Sequence, residues 1–208
     1  MPKLPDPRRL VTALAVATVA LAGARCAAGA ELWADPQGRV LMELIGQVTN
    51  PSPTTSLQYG YVTAVDGLDP AALFAGDVAN DGSARLTFFN DSTTLRVTNV
   101  GPLRIVERSG TMTLYLRDEP GASFADPASF AVGAPVLLAD FRHQVVLDTT
   151  SGTFTTFFAC TVRTSAPFEL DGRTHRLGHP GAHFRVVVNG KSNPGGPGQF
   201  AIAGVASE

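Results

Sequence analysis

Residues 139–165 read ADFRHQVVLDTTSGTFTTFFACTVRTS, and this stretch indicates the fold of the chain. In its second half, apolar side chains share one strand face: Phe154, Phe158, Cys160 and Val162. The opposite face carries threonine and arginine, and this alternation with a period of two is typical of a half-buried β-strand. Because Ser151-Gly152 separates the run from an equally long one, the stretch predicts two antiparallel strands of about ten residues each.

The same alternation recurs along the chain, between positions rich in Gly, Pro, Asn and Asp, and no segment sustains a helical period. The predicted strands cover residues 39–48, 56–65, 84–90, 94–100, 103–109, 111–117, 139–149, 153–165, 184–188 and 199–205. Long consecutive antiparallel strands favour a closed sheet, because closure removes exposed strand edges. The sequence therefore predicts one all-β domain over residues 31–208, an antiparallel β-barrel or barrel-like sandwich of about 8–10 strands.

Two short helical turns and several tight reversals complete the predicted architecture. Residues 69–76 and 126–133 each begin with Asp-Pro and end with Gly, which is the pattern of an N-cap, a first helical position and a terminator. Asp171-Gly172 suits a type I′ hairpin turn. Ser109-Gly110 and Ser151-Gly152 are interpreted as similar reversals between strands.

The N-terminal residues have the three parts of a secretory signal. Lys3, Arg8 and Arg9 form a basic region, an uncharged apolar run follows over residues 10–24, and Ala28-Gly29-Ala30 is a small-x-small cleavage site. A transmembrane helix needs roughly 20 apolar residues, so the run is too short to be one. The sequence predicts a signal peptide over residues 1–30 that is cleaved, and a secreted or periplasmic product. A twin-arginine signal and a lipidated cysteine are weaker alternatives, because the neighbouring residues fit them only loosely.

The charge and cysteine content restrict the partners of the mature chain. Removing residues 1–30 takes away four basic side chains and one acidic one, which leaves 12 basic and 17 acidic residues and a net charge of −5. No basic cluster suggests nucleic acid, and an acidic surface disfavours anionic membranes, so neither nucleic-acid binding nor stable membrane insertion is expected. Cys160 alone remains, so no intrachain disulfide can form, and a buried thiol is expected. The alanine-rich leader and the absence of disulfides suggest a bacterial protein.

Three histidines at intervals of four residues are the first candidate site. On a helix, His175, His179 and His183 would lie on one face and could bind zinc. The intervening glycines and Pro180 exclude a helix, but a turn could still gather the imidazoles, with Asp171 as an oxygen ligand. The alternative is that they are polar residues beside the Asp-Gly hairpin. No other metal or cofactor is predicted.

Polar side chains on predicted strand faces are the second candidate site. Glu43 shares a face with Leu41 and Ile45, and His143 shares one with Phe141 and Val145. If these faces and that of Tyr59 and Tyr61 point into one barrel, the four polar side chains would line a ligand pocket. A buried glutamate or histidine has a shifted pKa and often serves as an acid or a base. The simpler interpretation gives each of them an ordinary structural role.

Three functions are compatible with these features. Small soluble barrels often hold one ligand, so the first is an exported module that binds a small, largely apolar molecule. The second is an enzyme, such as an isomerase, cyclase or lyase, that uses Glu43 and His143 as an acid/base pair. The third is a cell-surface or matrix domain whose interior is filled and which has no pocket. What fills the barrel would distinguish the three.

Overall fold

The computed structural model describes residues 30–33, 40–193, 196 and 198–205, and within them the chain is built almost entirely of strands. The strands are β1 (Ala30–Leu32), β2 (Val40–Ser52), β3 (Thr55–Val65), β4 (Leu86–Val100), β5 (Leu103–Leu116), β6 (Ala134–Asp148), β7 (Thr153–Ser165), β8 (Phe168–Leu170), β9 (Arg173–Leu177), β10 (His183–Lys191) and β11 (Gly198–Val205). Eight of them, β2 to β7 with β10 and β11, form a closed antiparallel barrel. Each barrel strand pairs with the next along the chain, and β11 pairs back with β2. The predicted all-β barrel is confirmed.

The two ends of the barrel are built differently. At one end, here called the open end, the connections are the short ones between β2 and β3, β4 and β5, β6 and β7, and β10 and β11. At the other, the closed end, the connections are long: residues 66–85, 117–133 and 166–182. The third of these contains β8 and β9, which form a separate small sheet with β1. We therefore expect one end of the barrel to be packed and the other to carry the functional residues.

The closed end holds the main hydrophobic core. Inward-facing side chains of the barrel strands are buried there, among them Met42, Leu44, Val62, Leu86, Phe88, Met112, Leu114, Leu137, Ala139, Cys160, Val162 and Val186. The small sheet adds Leu32, Phe168, Leu170 and Leu177 to the same cluster. Trp33 packs on Phe184 with ring centroids 5.6 Å apart, and its indole nitrogen donates to the Leu41 carbonyl at 3.2 Å. These contacts seal this end with apolar surface, which is the main source of folding free energy.

A second, aromatic cluster lies outside the barrel wall, on the outer face of β3. Tyr59 and Tyr61 are buried there against residues of the two long connections, Phe74, Phe124 and Phe130. Both connections contain a 3₁₀ turn, Pro70–Leu73 and Pro127–Ala131, capped by aspartate side chains that accept from backbone N–H groups. The two predicted helical turns are thus confirmed, as 3₁₀ rather than α-helical turns.

Two of the three predicted reversals are confirmed, and one is wrong. Asp171 and Gly172 have φ of 50° and 68° and join β8 to β9, as a type I′ turn requires. Gly152 has φ of 71° in the turn between β6 and β7. The chain does not reverse at Ser109-Gly110, because β5 runs straight through both residues. A Cβ at Gly110 would lie 2.0 Å from the Asp91 carbonyl oxygen, so the glycine permits β4 and β5 to approach closely.

The predicted signal peptide, residues 1–30, lies outside the described residues except for Ala30, the first residue of β1. No helix among the residues that are described is long and apolar enough to cross a membrane.

Gly60 matches Gly110 in its role, since a Cβ there would lie 2.1 Å from the Ile45 carbonyl oxygen. The barrel wall thus depends on glycines where neighbouring strands cross closely.

Candidate functional site

A cavity of about 550 Å³ opens at the open end of the barrel. Its walls come from the inward faces of β2 to β7 and β10 and from the connection after β10. Five aliphatic side chains of this lining are here called the aliphatic wall: Val97, Val106, Val145, Leu147 and Val188. Ligand pockets typically have volumes of roughly 300–1,000 Å³ and are lined mainly by apolar groups with a few polar ones, so this cavity has the usual size and character.

Two arginines of β5 supply the charge of the cavity. Arg104 and Arg108 lie on the inward face with Val106 between them, and no acidic side chain is among the described residues that line the cavity. Arg104 is exposed near the mouth, whereas Arg108 is half-buried further in. The cavity is therefore positively charged inside a molecule that is acidic as a whole.

The guanidinium of Arg108 is held by two neutral oxygen atoms. Its Nε donates to Thr94 Oγ1 at 3.2 Å and its Nη2 to Asn50 Oδ1 at 3.1 Å. Burial, and next the positive charge of Arg104, lower the pKa of Arg108 below its ordinary value. Because a guanidinium has five N–H donors, these two bonds leave donors for a further acceptor. The Arg108 charge has no carboxylate partner among the described residues.

Buried polar side chains continue from the cavity into the barrel interior. This buried polar layer consists of Ser56, Gln58, Asn90, Ser92, His143 and Thr156. Some of its groups bond to one another: Asn90 Nδ2 donates to Gln58 Oε1 at 3.2 Å. Asn90 Oδ1 and Ser56 Oγ have no hydrogen-bond partner among the described residues. Unsatisfied buried polar atoms cost roughly 1–3 kcal/mol each, so they mark places where a ligand group or water would be stabilised.

His143 is the titratable member of the buried polar layer. Its ring stacks on Phe141 at 5.3 Å and meets Phe158 edge to face at 4.7 Å, and neither ring nitrogen has a partner among the described residues. Burial, and next the charge of Arg108, lower its pKa to about 3. The imidazole is therefore neutral at physiological pH. Phe158 lines the cavity, so His143 lies directly behind the cavity lining.

The four side chains of the predicted pocket are not brought together, which corrects that expectation. His143 points inward, but Glu43 is exposed on the outer face of β2. The pattern on β2 explains this, since Met42 and Leu44 are the residues that fill the interior. Glu43 and His143 therefore lie on opposite sides of the barrel wall and cannot act on one substrate as an acid/base pair.

Tyr59 and Tyr61 also lie outside the barrel, in the aromatic cluster. Burial raises the pKa of both hydroxyl groups, and the charge of Asp81 adds to the effect at Tyr61. Neither tyrosine lines the cavity. Period-two alternation placed the two on one face correctly, but β3 is buried on both faces, so the pattern could not indicate which face was the interior.

The three histidines are also placed apart. His175 is buried against Phe168, with ring centroids 5.8 Å apart, whereas His179 and His183 are exposed. The Nδ1 of His183 is 3.0 Å from Thr161 Oγ1. No group of three or more His, Cys, Asp or Glu side chains within the described part of the chain could hold a metal ion. The geometry therefore gives no support to a zinc site at residues 175, 179 and 183.

The cavity residues were not identified as a site from the sequence. One face of β5 carries Arg104, Val106 and Arg108. The other face carries the apolar residues Leu103 and Ile105. Without the strand order, either face could have been the interior.

Cys160, by contrast, is buried as expected, and burial raises its pKa to about 12.

Comparison of the chain with protein-family models, with curated proteins and with solved structures finds no match in any of the three.

Proposed function

We propose that the chain is an exported protein that binds a small, largely apolar molecule in the cavity at the open end of its barrel. One observation carries the proposal: the interior is tightly filled at the closed end and hollow at the open end, where the cavity measures about 550 Å³. Natural interiors are close-packed, and a hollow of this size inside an otherwise filled barrel needs a reason. A bound molecule is the reason that this lining favours, since the aliphatic wall offers it apolar contact.

The composition of the lining separates this function from the two alternatives. A purely structural domain was expected to have a filled barrel, and this interior is filled at one end only. The acid/base pair expected for an enzyme is divided by the barrel wall. Binding requires only the cavity, the aliphatic wall and a few polar groups, and the side chains of the aliphatic wall lie on barrel strands.

Export is the part of the proposal that rests on the sequence. The basic, apolar and small-residue segments of residues 1–30 support it. The test is expression of the full chain in a bacterial host, followed by mass measurement of the product outside the cytoplasm. An N-terminus at Glu31 is expected, whereas retention of the full chain in the cytoplasm would contradict export.

Ligand binding is tested by native mass spectrometry on the protein purified after expression of the full chain. The expected result is a complex with an excess mass of one small organic molecule, released when the protein is denatured. A Val106→Trp variant fills the cavity from the middle of the aliphatic wall and should lose the bound mass. A bare polypeptide mass, together with no response of the unfolding temperature to a panel of apolar compounds, would refute the binding function.

A further inference from the structure

The charge inside the cavity indicates which apolar molecule fits. Two arginines and no acidic side chain are among its described lining residues. Two cations that share a partly desolvated space destabilise each other, and the lowered pKa of Arg108 reflects both effects. An anion bound between the aliphatic wall and Arg108 would relieve this cost, and charge complementarity therefore selects a ligand with a negative group.

The surroundings of Arg108 favour a small, planar anion of charge −1. Arg108 is the inner of the two cations, and the two side chains that accept its hydrogen bonds, Asn50 and Thr94, are neutral. The lining also contains the neutral side chains of Gln58 and Thr156. A guanidinium binds a carboxylate through two parallel N–H···O bonds, and the amide and hydroxyl groups can donate further bonds. The buried polar layer continues behind these residues, so a polar head there meets polar rather than apolar surface.

We propose that the ligand is an amphiphilic monocarboxylate, whose head binds Arg108 and whose hydrocarbon body lies along the aliphatic wall. This inference rests on the proposed function and specifies the ligand class of the same cavity. Arg108 determines specificity, because its charge distinguishes the carboxylate from an uncharged molecule of the same shape. Arg104, exposed at the mouth, attracts the anion as it approaches but does not hold its head.

The test compares three probes that share a linear ten-carbon skeleton and differ in the head: decanoate, decanol and decyltrimethylammonium. Each is titrated into the intact purified protein, stripped of any retained molecule, by isothermal titration calorimetry below its micelle concentration. Decanoate is expected to bind about tenfold or more tightly than decanol, because a charge-assisted hydrogen bond in a partly buried site is worth that factor. The cationic probe is expected to bind most weakly.

Three arginine variants locate the head. Arg108→Gln should weaken decanoate binding by about tenfold or more and change decanol binding by less than about threefold. Arg104→Gln should have a smaller effect on decanoate, because exposed charges are screened by solvent and salt. Arg142→Gln is the matched control: it removes the same charge from the exposed outer face of β6 and should change neither affinity. Circular dichroism establishes that each variant is folded.

The results separate this inference from the function on which it rests. If decanol binds the wild-type protein as tightly as decanoate, the inference is wrong while apolar binding stands. If Arg104→Gln abolishes the preference for decanoate and Arg108→Gln keeps it, the assignment of the head to Arg108 is wrong. If none of the three probes binds and no molecule is retained on purification, the proposed function fails as well. The comparison of probes on the wild-type protein remains decisive even if Arg108→Gln does not fold.

Discussion

The closed and open ends of this barrel are made by the same strands, with the same alternation, and differ in what faces inward and in the connections that join the strands. At the closed end the inward positions are mainly Leu, Met, Val and Phe, and the small sheet covers them. At the open end the inward positions include arginine, asparagine, glutamine and histidine, and short turns leave a cavity. One end therefore supplies folding free energy, whereas the other can carry polar groups that would weaken a core.

The largest effect is expected from emptying the closed end. Phe88 is fully buried there, so Phe88→Ala should lower the free energy of unfolding by about 3–5 kcal/mol through lost burial and the cavity that remains. Leu147→Ala at the open end should cost about 1 kcal/mol or less, because Leu147 is half-buried and already borders a cavity. Urea unfolding measures both values. Equal losses would show that the two ends do not differ in packing.

Gly60 tests the close approach of β2 and β3 in the barrel wall, which both ends share. Gly60→Ala places a methyl group against the backbone of β2, which cannot yield as a flexible side chain can, so a loss of about 3 kcal/mol is expected. Gly82→Ala is the control, because the nearest atom to its Cβ would be the Asn80 side-chain oxygen at 3.3 Å, on an exposed turn. Thermal unfolding compares the two variants. A mild effect at Gly60 would mean that the strands can separate there.

The free energy of unfolding should depend on pH because His143 is buried at the polar end of the barrel. Its pKa is about 3 in the folded protein and about 6.5 when unfolded, so the unfolded chain binds more protons between these values. Stability is therefore complete above pH 6.5 and decreases as the pH falls toward 3, with a loss of about 2 kcal/mol from this group by pH 5.

His143→Phe removes this titration and keeps an aromatic ring beside Phe141 and Phe158. We expect the variant to show a flatter dependence of unfolding free energy on pH and to exceed the wild type by about 2 kcal/mol at pH 5, relative to neutral pH. An unaltered slope in His143→Phe would mean that His143 gains a proton in the folded protein without penalty.

The smallest effect is expected outside the barrel wall. Glu43 is exposed and faces away from the cavity, so Glu43→Leu should change stability by less than about 0.5 kcal/mol. Decanoate affinity should also be unchanged, since Glu43 does not line the cavity. A loss of binding in the titration described above would reverse the assignment of the inner and outer faces of β2.

The sequence predicted the fold more completely than the site, for a physical reason. Period-two alternation and turn residues are local, so the strands of residues 139–165 and the hairpin at Asp171-Gly172 could be predicted. The passage of β5 through Gly110 could not, because it depends on the close approach of a strand from elsewhere in the chain. The breaks predicted at residues 90–94 and 109–111 divided β4 and β5, each a single strand, into two.

The site could not be predicted from the sequence, because alternation does not show which face of a strand points into the barrel. Tyr59 and Tyr61 are buried as a core residue would be, yet under loops on the outside of the wall. Arg108 points inward although exposed arginines are the rule. Which face of a strand lines a barrel depends on how the sheet curls, and that is a property of all eight strands together.

The pairing of β11 with β2 has a consequence for how the molecule reaches its native state. It joins residues such as Ala201 and Ile45 from opposite ends of the domain, whereas every other barrel pairing links one barrel strand to the next along the chain. Contacts of such large sequence separation are slow to form, so we expect closure to be the final step of folding. Until then the chain is an open curved sheet with two unpaired edges, which is the form most prone to aggregation. Pulsed hydrogen exchange during refolding should therefore show the amides between β2 and β11 gaining protection last, and simultaneous protection of all strands would contradict this order.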